Sequence, residues 1–279
     1  MDDHKHLFRP LLASATSTSS YSDDNDADNI KFLSSNSSII CRLLSIIFIG
    51  VISLWANHEA SKGFDVTIIN DARDSPAGKR FDLFYVSNDE ATRILLNTSA
   101  FVENILYPDD SSNQQSKKNI QRVTLRLTSK NTTQITTVEA SRTGEFVINI
   151  RSSIMGAENV NYAIISAIQR GIARIWLWDG ESRAPPRLMD GLVEYISMLA
   201  GFKAEGLVDG GELPEFSSQL CWDDKQPGVV AEFLDFCEVR KKGFIRRLNR
   251  GLRDGWNNRT VDDALGMKTK HLCDSYKKL

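Results

Sequence analysis

The chain has 279 residues, of which 41% are hydrophobic and 25% are charged, and its formal net charge at pH 7 is −2. These values are ordinary for a globular protein, and the total charge gives no support for a nucleic-acid partner. The four histidines are His4, His6, His58 and His271. Three of them precede the globular part, so a zinc site built from two histidines on one helix of that part is excluded.

The N-terminal 38 residues are rich in Ser, Thr, Asp and Asn, with runs at Ser14–Ser20 and Asp23–Asp28. A segment of this composition cannot bury enough apolar surface to offset the entropy lost on ordering. We therefore predict that residues 1–38 form a disordered N-terminal tail.

An apolar run follows at residues 39–56 (IICRLLSIIFIGVISLWA), with Arg42 as its one charged residue and Trp55 near its far end. A helix that crosses a bilayer needs roughly 17–25 such residues, so this run is at the short end of that range. We predict a transmembrane signal anchor at residues 39–56, which would be the membrane contact of the protein. A cleaved signal peptide and an organelle transit peptide, which would imply a location such as the chloroplast, are the alternatives.

The charges around this run predict its orientation. Lys31 and Arg42 lie before the apolar core, and basic residues favour the cytoplasmic side. We predict a single-pass protein of the secretory pathway or plasma membrane, with a linker at residues 57–63 and a lumenal or extracellular domain at residues 64–279. Three Asn-x-Ser/Thr triplets lie on that side, and we take their asparagines as glycosylation candidates. These are Asn97, Asn131 and Asn258.

Hydrophobic periodicity predicts the elements of the domain in chain order. Strands are predicted at Asp65–Asn70, around Val123, Leu125 and Leu127, and at Glu145–Ile150. A polar loop is predicted at Asp109–Lys118. Helices are predicted at Asp89–Leu106, Asn161–Trp178, Leu188–Ala200, Val229–Val239 and Lys242–Arg253. Strands followed by several helices predict an α+β domain.

Cysteines leave two alternatives open. Cys41 lies in the apolar run, whereas Cys221, Cys237 and Cys273 lie in the domain. One disulfide with one free thiol and three reduced thiols are both compatible with this arrangement. Cys237 lies in an apolar helical run, where we expect a buried thiol.

A basic run at residues 240–253 (RKKGFIRRLNRGLR) contains seven basic residues in fourteen. Such a run could bind acidic polymers or lipid headgroups. The ordinary interpretation is the solvated face of a helix whose apolar residues pack inward. Those residues are Phe244, Ile245, Leu248 and Leu252.

Several spaced motifs carry a family resemblance. They are Trp176-Leu177-Trp178-Asp179-Gly180, Ala184-Pro185, Asp190-Gly191-Leu192-Val193-Glu194-Tyr195, Ala200-Gly201-Phe202 and Phe233-Leu234-Asp235-Phe236-Cys237. In this order and spacing the chain resembles the plant basic secretory protein family over roughly residues 64–279. The resemblance implies a zincin-like metallopeptidase fold, with a small mixed sheet, an active-site-type helix and a helical C-terminal half.

The family's zinc motif, His-Glu-x-x-His, is changed in this chain. Counting back from Trp176, the histidine positions are occupied by Arg170 and Arg174, and the glutamate position by Gly171. Two histidines at i and i+4 chelate one zinc ion, and the glutamate takes a proton from its bound water. Arginine has no lone pair for a metal, and glycine cannot act as a base. We therefore predict that the zinc of the family is lost and that no catalytic residue remains.

Two carboxylates of the helix predicted at Leu188–Ala200 complete the predicted cleft. Asp190 keeps the acidic type of the family's third ligand, and Glu194 lies one turn further along. We predict that Arg170 and Arg174 pair with these carboxylates and so replace the positive charge of the metal. The alternative is a rotated helix or a widened cleft in which both arginines are solvated. Trp176 is a further cleft candidate.

The resemblance implies a function for the domain. The leading interpretation is a pseudopeptidase domain, anchored to a membrane, that binds a peptide or protein ligand in plant defence-type settings. The rival interpretation is a metal-dependent peptidase that keeps its activity through a non-standard constellation, such as Asp190 with Glu194.

Overall fold

A computed structural model of the chain describes residues 40–53, 63–108, 117–130, 134–203, 220–224 and 226–277. The chain divides into two units, Met1–Glu59 and Ala60–Leu279. The predicted disordered tail, most of the predicted linker and residues 109–116 of the predicted polar loop lie outside the described residues.

The described part of the first unit is one helix, α1, at residues 40–53. Its apolar side chains are exposed, as Leu43 and Phe48 illustrate. Among the helices of the described residues, none is both long enough and apolar enough to span a membrane. The predicted anchor at residues 39–56 extends past α1 at both ends, so it stays a prediction.

A small mixed sheet lies in the first half of the second unit. Its strands are β1 (Asp65–Asn70), β2 (Arg122–Thr128), β3 (Thr136–Arg142) and β4 (Glu145–Arg151), in the order β1-β2-β4-β3. β2 lies parallel to both β1 and β4, and β3 is antiparallel to β4. β2, one of the two inner strands, has the clearest alternation of buried and more exposed residues, because every second side chain points into the core. Val123, Leu125 and Leu127 are fully buried there.

The three predicted strands are confirmed, but β3 was not predicted. Its residues are half-buried or exposed, so it lacks the apolar alternation that identifies a strand with one face in the core. A signal was present in Gly144, which follows β3 at a φ of 78° and turns the chain into β4. A glycine between two short runs is typical of a hairpin, because it adopts positive φ at little cost.

Helices form most of the unit outside the sheet. They are α2 (Pro76–Phe81), α3 (Glu90–Leu106), α4 (Val160–Trp176), α5 (Pro186–Leu199), α6 (Pro227–Arg240), α7 (Phe244–Arg253), α8 (Thr260–Leu265) and α9 (Thr269–Tyr276). The five predicted helices correspond to α3 to α7, whereas α2, α8 and α9 were not predicted. α5 and α6 begin two residues before their predicted starts. Proline fits the first turn of a helix, because its missing N–H would have no partner there.

Helix α4 positions the candidate site. The side chain of Asn159 accepts a hydrogen bond from Tyr162 N at 3.0 Å and so caps its N-terminus. The helix ends at Trp176, two residues before its predicted end, because Leu177 is extended. One face of α4 is buried in the core through isoleucines at helical spacing. Ile164, Ile168, Ile172 and Ile175 are at most 1% exposed.

A disulfide joins the loop before α6 to the last helix. Cys221 and Cys273 are bonded, with their Cα atoms 5.6 Å apart. Cys237 is a free thiol that is fully buried in α6, and burial raises its pKa to about 12. Of the two alternatives for the domain cysteines, the structure therefore has one disulfide and one free thiol, and the predicted burial of Cys237 is confirmed.

Candidate functional site

Two charged pairs join the facing sides of α4 and α5. Arg170 and Arg174 lie one turn apart on α4, and Asp190 and Glu194 lie one turn apart on α5. Residues at i and i+4 share one face of a helix. Arg170 binds Glu194, and Arg174 binds Asp190. The pairs form in opposite chain order, so this part of α5 runs antiparallel to α4. The predicted pairing is confirmed for both arginines.

The pair of Arg170 and Glu194 is buried and bidentate. Nε of Arg170 donates to Oε1 of Glu194 at 2.6 Å, and Nη2 donates to Oε2 at 3.1 Å. The side chains are 16% and 6% exposed, respectively. Two parallel N–H···O bonds fix the guanidinium in the plane of the carboxylate. Each carboxylate oxygen of Glu194 therefore accepts a hydrogen bond from Arg170.

Other groups satisfy the remaining donors of Arg170. Nη1 donates to the hydroxyl of Ser166, one turn earlier on α4. Nη2 also donates to the main-chain oxygen of Lys203 at 3.2 Å. The amide of Lys203 donates to the hydroxyl of Tyr162 at 3.0 Å. Arg170 thus ties the segment after α5 to α4 as well as joining the two helices. Sequence analysis missed Ser166, Tyr162 and Lys203, since nothing in their spacing distinguishes them from surface residues.

The second pair is more open to solvent. Nη2 of Arg174 donates to Oδ1 of Asp190, and the two side chains are 40% and 36% exposed. Water competes with an ion pair at this degree of exposure, so its contribution to stability is small. The Arg174–Asp190 pair is therefore the accessible end of the site, and the Arg170–Glu194 pair is its buried end.

The third motif position, Gly171, faces the sheet instead of α5. A Cβ atom built on Gly171 would lie 2.7 Å from Cγ2 of Ile148, a fully buried side chain of β4. This close approach of helix and strand admits no side chain unless Ile148 moves. A glutamate could not occupy this position in the present packing.

The remaining candidate residues lie away from the two pairs. Trp176 is buried, and its Nε1 donates to the hydroxyl of Ser99 on α3 at 2.8 Å. The structure therefore does not bring Trp176 together with the charged pairs. Among the glycosylation candidates, Asn97 is exposed on α3 and Asn258 is exposed in the turn before α8, whereas Asn131 lies outside the described residues.

Comparison with known proteins identifies the family. The family model described as peptidase of plants and bacteria matches residues 61–276. The chain belongs to this family. The match covers nearly all of the second unit and includes both charged pairs and Gly171. No curated protein and no solved structure gives a significant match to the chain.

The peptidase family implies a zinc ion, so the residues at the motif positions can be tested against its needs. Zinc requires lone pairs from imidazole, thiolate or carboxylate groups. The guanidinium groups of Arg170 and Arg174 offer none, and they occupy the carboxylates of Glu194 and Asp190. Over the described part of the chain, no group of three or more His, Cys, Asp or Glu side chains could hold a metal ion. These residues do not fit zinc.

Proposed function

We propose that the domain is a non-catalytic member of the peptidase of plants and bacteria family that binds a peptide or protein ligand. The buried bidentate pair of Arg170 with Glu194 carries this proposal. In the catalytic design, a dication between two helices neutralises their carboxylates and activates water. Here a guanidinium supplies the positive charge in place of a dication, and a guanidinium does not activate water.

Three chemical requirements of a zinc peptidase are unmet at these positions. The two imidazole ligands are replaced by cations, and the position of the general base is a glycine whose place is closed by Ile148. The rival mechanism, a metal held by Asp190 and Glu194, would need both carboxylates as ligands. Each of them already accepts hydrogen bonds from an arginine. A metal would have to break both pairs and then sit beside two cations.

Metal analysis and a peptidase assay test the proposal together. The protein would be purified without chelators, incubated with zinc, desalted and analysed for bound metal, and then assayed on a broad-specificity peptide mixture. We expect substoichiometric zinc and no turnover that a chelator removes. Stoichiometric zinc with chelator-sensitive turnover would overturn the proposal and support the rival peptidase.

A zincin-like arrangement is part of this proposal. Its support is a small mixed sheet, one helix (α4) packed on that sheet, and a second helix (α5) that faces the motif positions. The surface beside Arg174 and Asp190 corresponds to the substrate cleft of such a fold, and binding of peptides there rests on analogy with the family. A screen with a peptide library would test it: binding that weakens in Arg174→Ala supports the proposal, whereas the lack of saturable binding argues for a purely structural domain.

Membrane anchorage by residues 39–56 is a second part of the proposal. Its support is the apolar composition of this segment and the exposure of its side chains in α1. The disulfide of Cys221 with Cys273 favours a lumenal or extracellular domain, because disulfides persist in oxidising compartments. Alkaline extraction and protease protection of microsomes test both points. We expect the chain to stay in the membrane pellet with its domain protected, and Asn258→Gln to remove a glycan.

A further inference from the structure

A strongly basic surface covers α7, the turn before it and the end of α6. We call it the basic face, and it consists of Arg240, Lys241, Lys242, Arg246, Arg247, Arg250 and Arg253. α7 buries its apolar side chains, including Phe244 and Leu248, on the opposite side. The predicted inward packing of these residues is confirmed. A chain with a net charge of −2 thus concentrates seven cations on α7, the turn before it and the last residue of α6.

Carboxylates do not neutralise most of this surface. Arg247 donates to main-chain oxygens, including Ala264 O at 2.8 Å, and Arg253 pairs with Asp254. Within the described residues, no carboxylate lies within ion-pair distance of Lys241, Lys242 or Arg246. The basic face therefore retains a concentrated positive charge in the folded domain.

Glu238, the acidic residue of α6 closest in sequence to the basic face, binds the main chain at the start of α7. The carboxylate of Glu238 accepts hydrogen bonds from the main-chain amides of Gly243 at 2.6 Å and Ile245 at 2.9 Å, at the start of α7. Arg246 and Arg250 are also four residues apart on one helix, where like charges repel and destabilise it. A ligand that carries negative charges would offset this repulsion.

We propose that the basic face binds a linear polyanion of the acidic polysaccharide class, which bears carboxylate or sulfate groups. Lys241 and Lys242 lie in the turn before α7, and Arg246 lies in its first turn, so three cations follow one another along this stretch of the chain. Guanidinium groups bind carboxylate and sulfate oxygens through paired donors. A polymer with charges in series can contact several of these cations at once, and it releases counterions when it does.

Two other polyanions fit the basic face less well. A helix that lies on a membrane inserts its apolar side chains into the lipid, whereas those of α7 are buried in the core of the domain. Val239 is an exposed apolar residue beside the basic face, which is little area for insertion. Nucleic acids fit less well because they are concentrated in the cytosol and nucleus. The disulfide of this domain favours an oxidising compartment outside both.

Binding to defined polymers tests the proposal. The full chain, reconstituted in nanodiscs of neutral lipid, would be titrated with heparin, with polygalacturonate, with neutral dextran and with anionic vesicles over a range of salt concentrations. The variant Lys241→Gln/Lys242→Gln/Arg246→Gln removes three cations of the basic face. The control variant Lys79→Gln/Lys130→Gln/Arg142→Gln removes three exposed cations elsewhere and gives the same net charge.

We expect the wild type and the control variant to bind both acidic polymers, with affinities within about twofold of each other, and to ignore dextran. The basic-face variant is expected to lose about tenfold or more in affinity and to show a smaller salt dependence, because fewer counterions are released. Unchanged circular dichroism and thermal unfolding would show that the basic-face variant is folded. If it is not folded, the double variant Lys241→Gln/Lys242→Gln takes its place in the same titrations. Equal losses in both variants, no binding of either polymer at low salt, or tighter binding to anionic vesicles than to polymer would each overturn the proposal.

Discussion

The two arginines at the changed motif positions differ in burial, and this difference decides what each pair contributes. Arg170 and Glu194 are largely removed from water, so each charge depends on the other. Removing one partner of a buried pair leaves the second charge without compensation. Arg174 and Asp190 remain partly solvated, so water can replace either partner.

Matched substitutions should separate the two pairs. Glu194→Gln should lower the free energy of unfolding by about 3 kcal/mol, because it leaves the Arg170 charge buried opposite a neutral amide. Asp190→Asn should lower it by less than about 1 kcal/mol. Urea unfolding followed by tryptophan fluorescence would measure both. Similar losses for the two variants would contradict the different burial of the pairs.

Gly171 gives a prediction about the packing of α4 on the sheet. Gly171→Ala should lower the free energy of unfolding by about 1–3 kcal/mol, because its methyl group would overlap Ile148. The same change at Gly156, where a Cβ would meet nothing within 4 Å, is the control. The partner variant Ile148→Ala should make Gly171→Ala less costly, and a double-mutant cycle in urea would measure this coupling. Additive effects would show that the glycine has no steric role.

At the scale of elements, the helical half depends on contacts that no single helix supplies. Gly243, the residue before α7, has a φ of 79° and no side chain that could cap the helix. Its first amides are bound by Glu238 from α6. A carboxylate at a helix N-terminus satisfies free N–H groups and interacts favourably with the helix dipole.

Loss of this cap should therefore affect α7 specifically. Glu238→Ala should lower the free energy of unfolding by about 1–2 kcal/mol and should speed amide exchange in the first turn of α7. Asp235→Ala, on the same helix, is the control and should change stability by less than about 0.5 kcal/mol. Hydrogen exchange followed by mass spectrometry would measure the local effect. Unchanged protection at residues 244–248 would contradict the capping role.

A buried thiol and a buried tyrosine hydroxyl lower the stability of the whole molecule at high pH. Burial raises the pKa of the Cys237 thiol to about 12, and burial together with Glu232 raises the pKa of the Tyr276 hydroxyl to about 12. In the unfolded chain both groups lose their protons at lower pH. Between the unfolded and folded pKa values the folded state therefore holds protons that the unfolded state has released, and stability falls as pH rises.

The free energy of unfolding should therefore be constant near pH 8 and should fall between about pH 9 and pH 12. Cys237 alone should contribute a slope of about 1.4 kcal/mol per pH unit. Urea unfolding at several pH values would measure the slope. Cys237→Ser removes this thiol and should flatten the curve. A curve of unchanged steepness in that variant would mean that other groups control alkaline unfolding.

The sequence by itself determined the α+β class, the helices and strands with clear periodicity, and the family. These features depend on residue types and their spacing, which are local properties. It did not predict β3, α8 or α9, which are short or lack an apolar face, nor the bond of Cys221 to Cys273. Only the tertiary structure decided that Arg170 pairs with Glu194 in the interior, that Gly171 touches the sheet and that Trp176 packs on α3. Those outcomes depend on how separate segments meet, and the partners of α4 are set by packing across the whole domain.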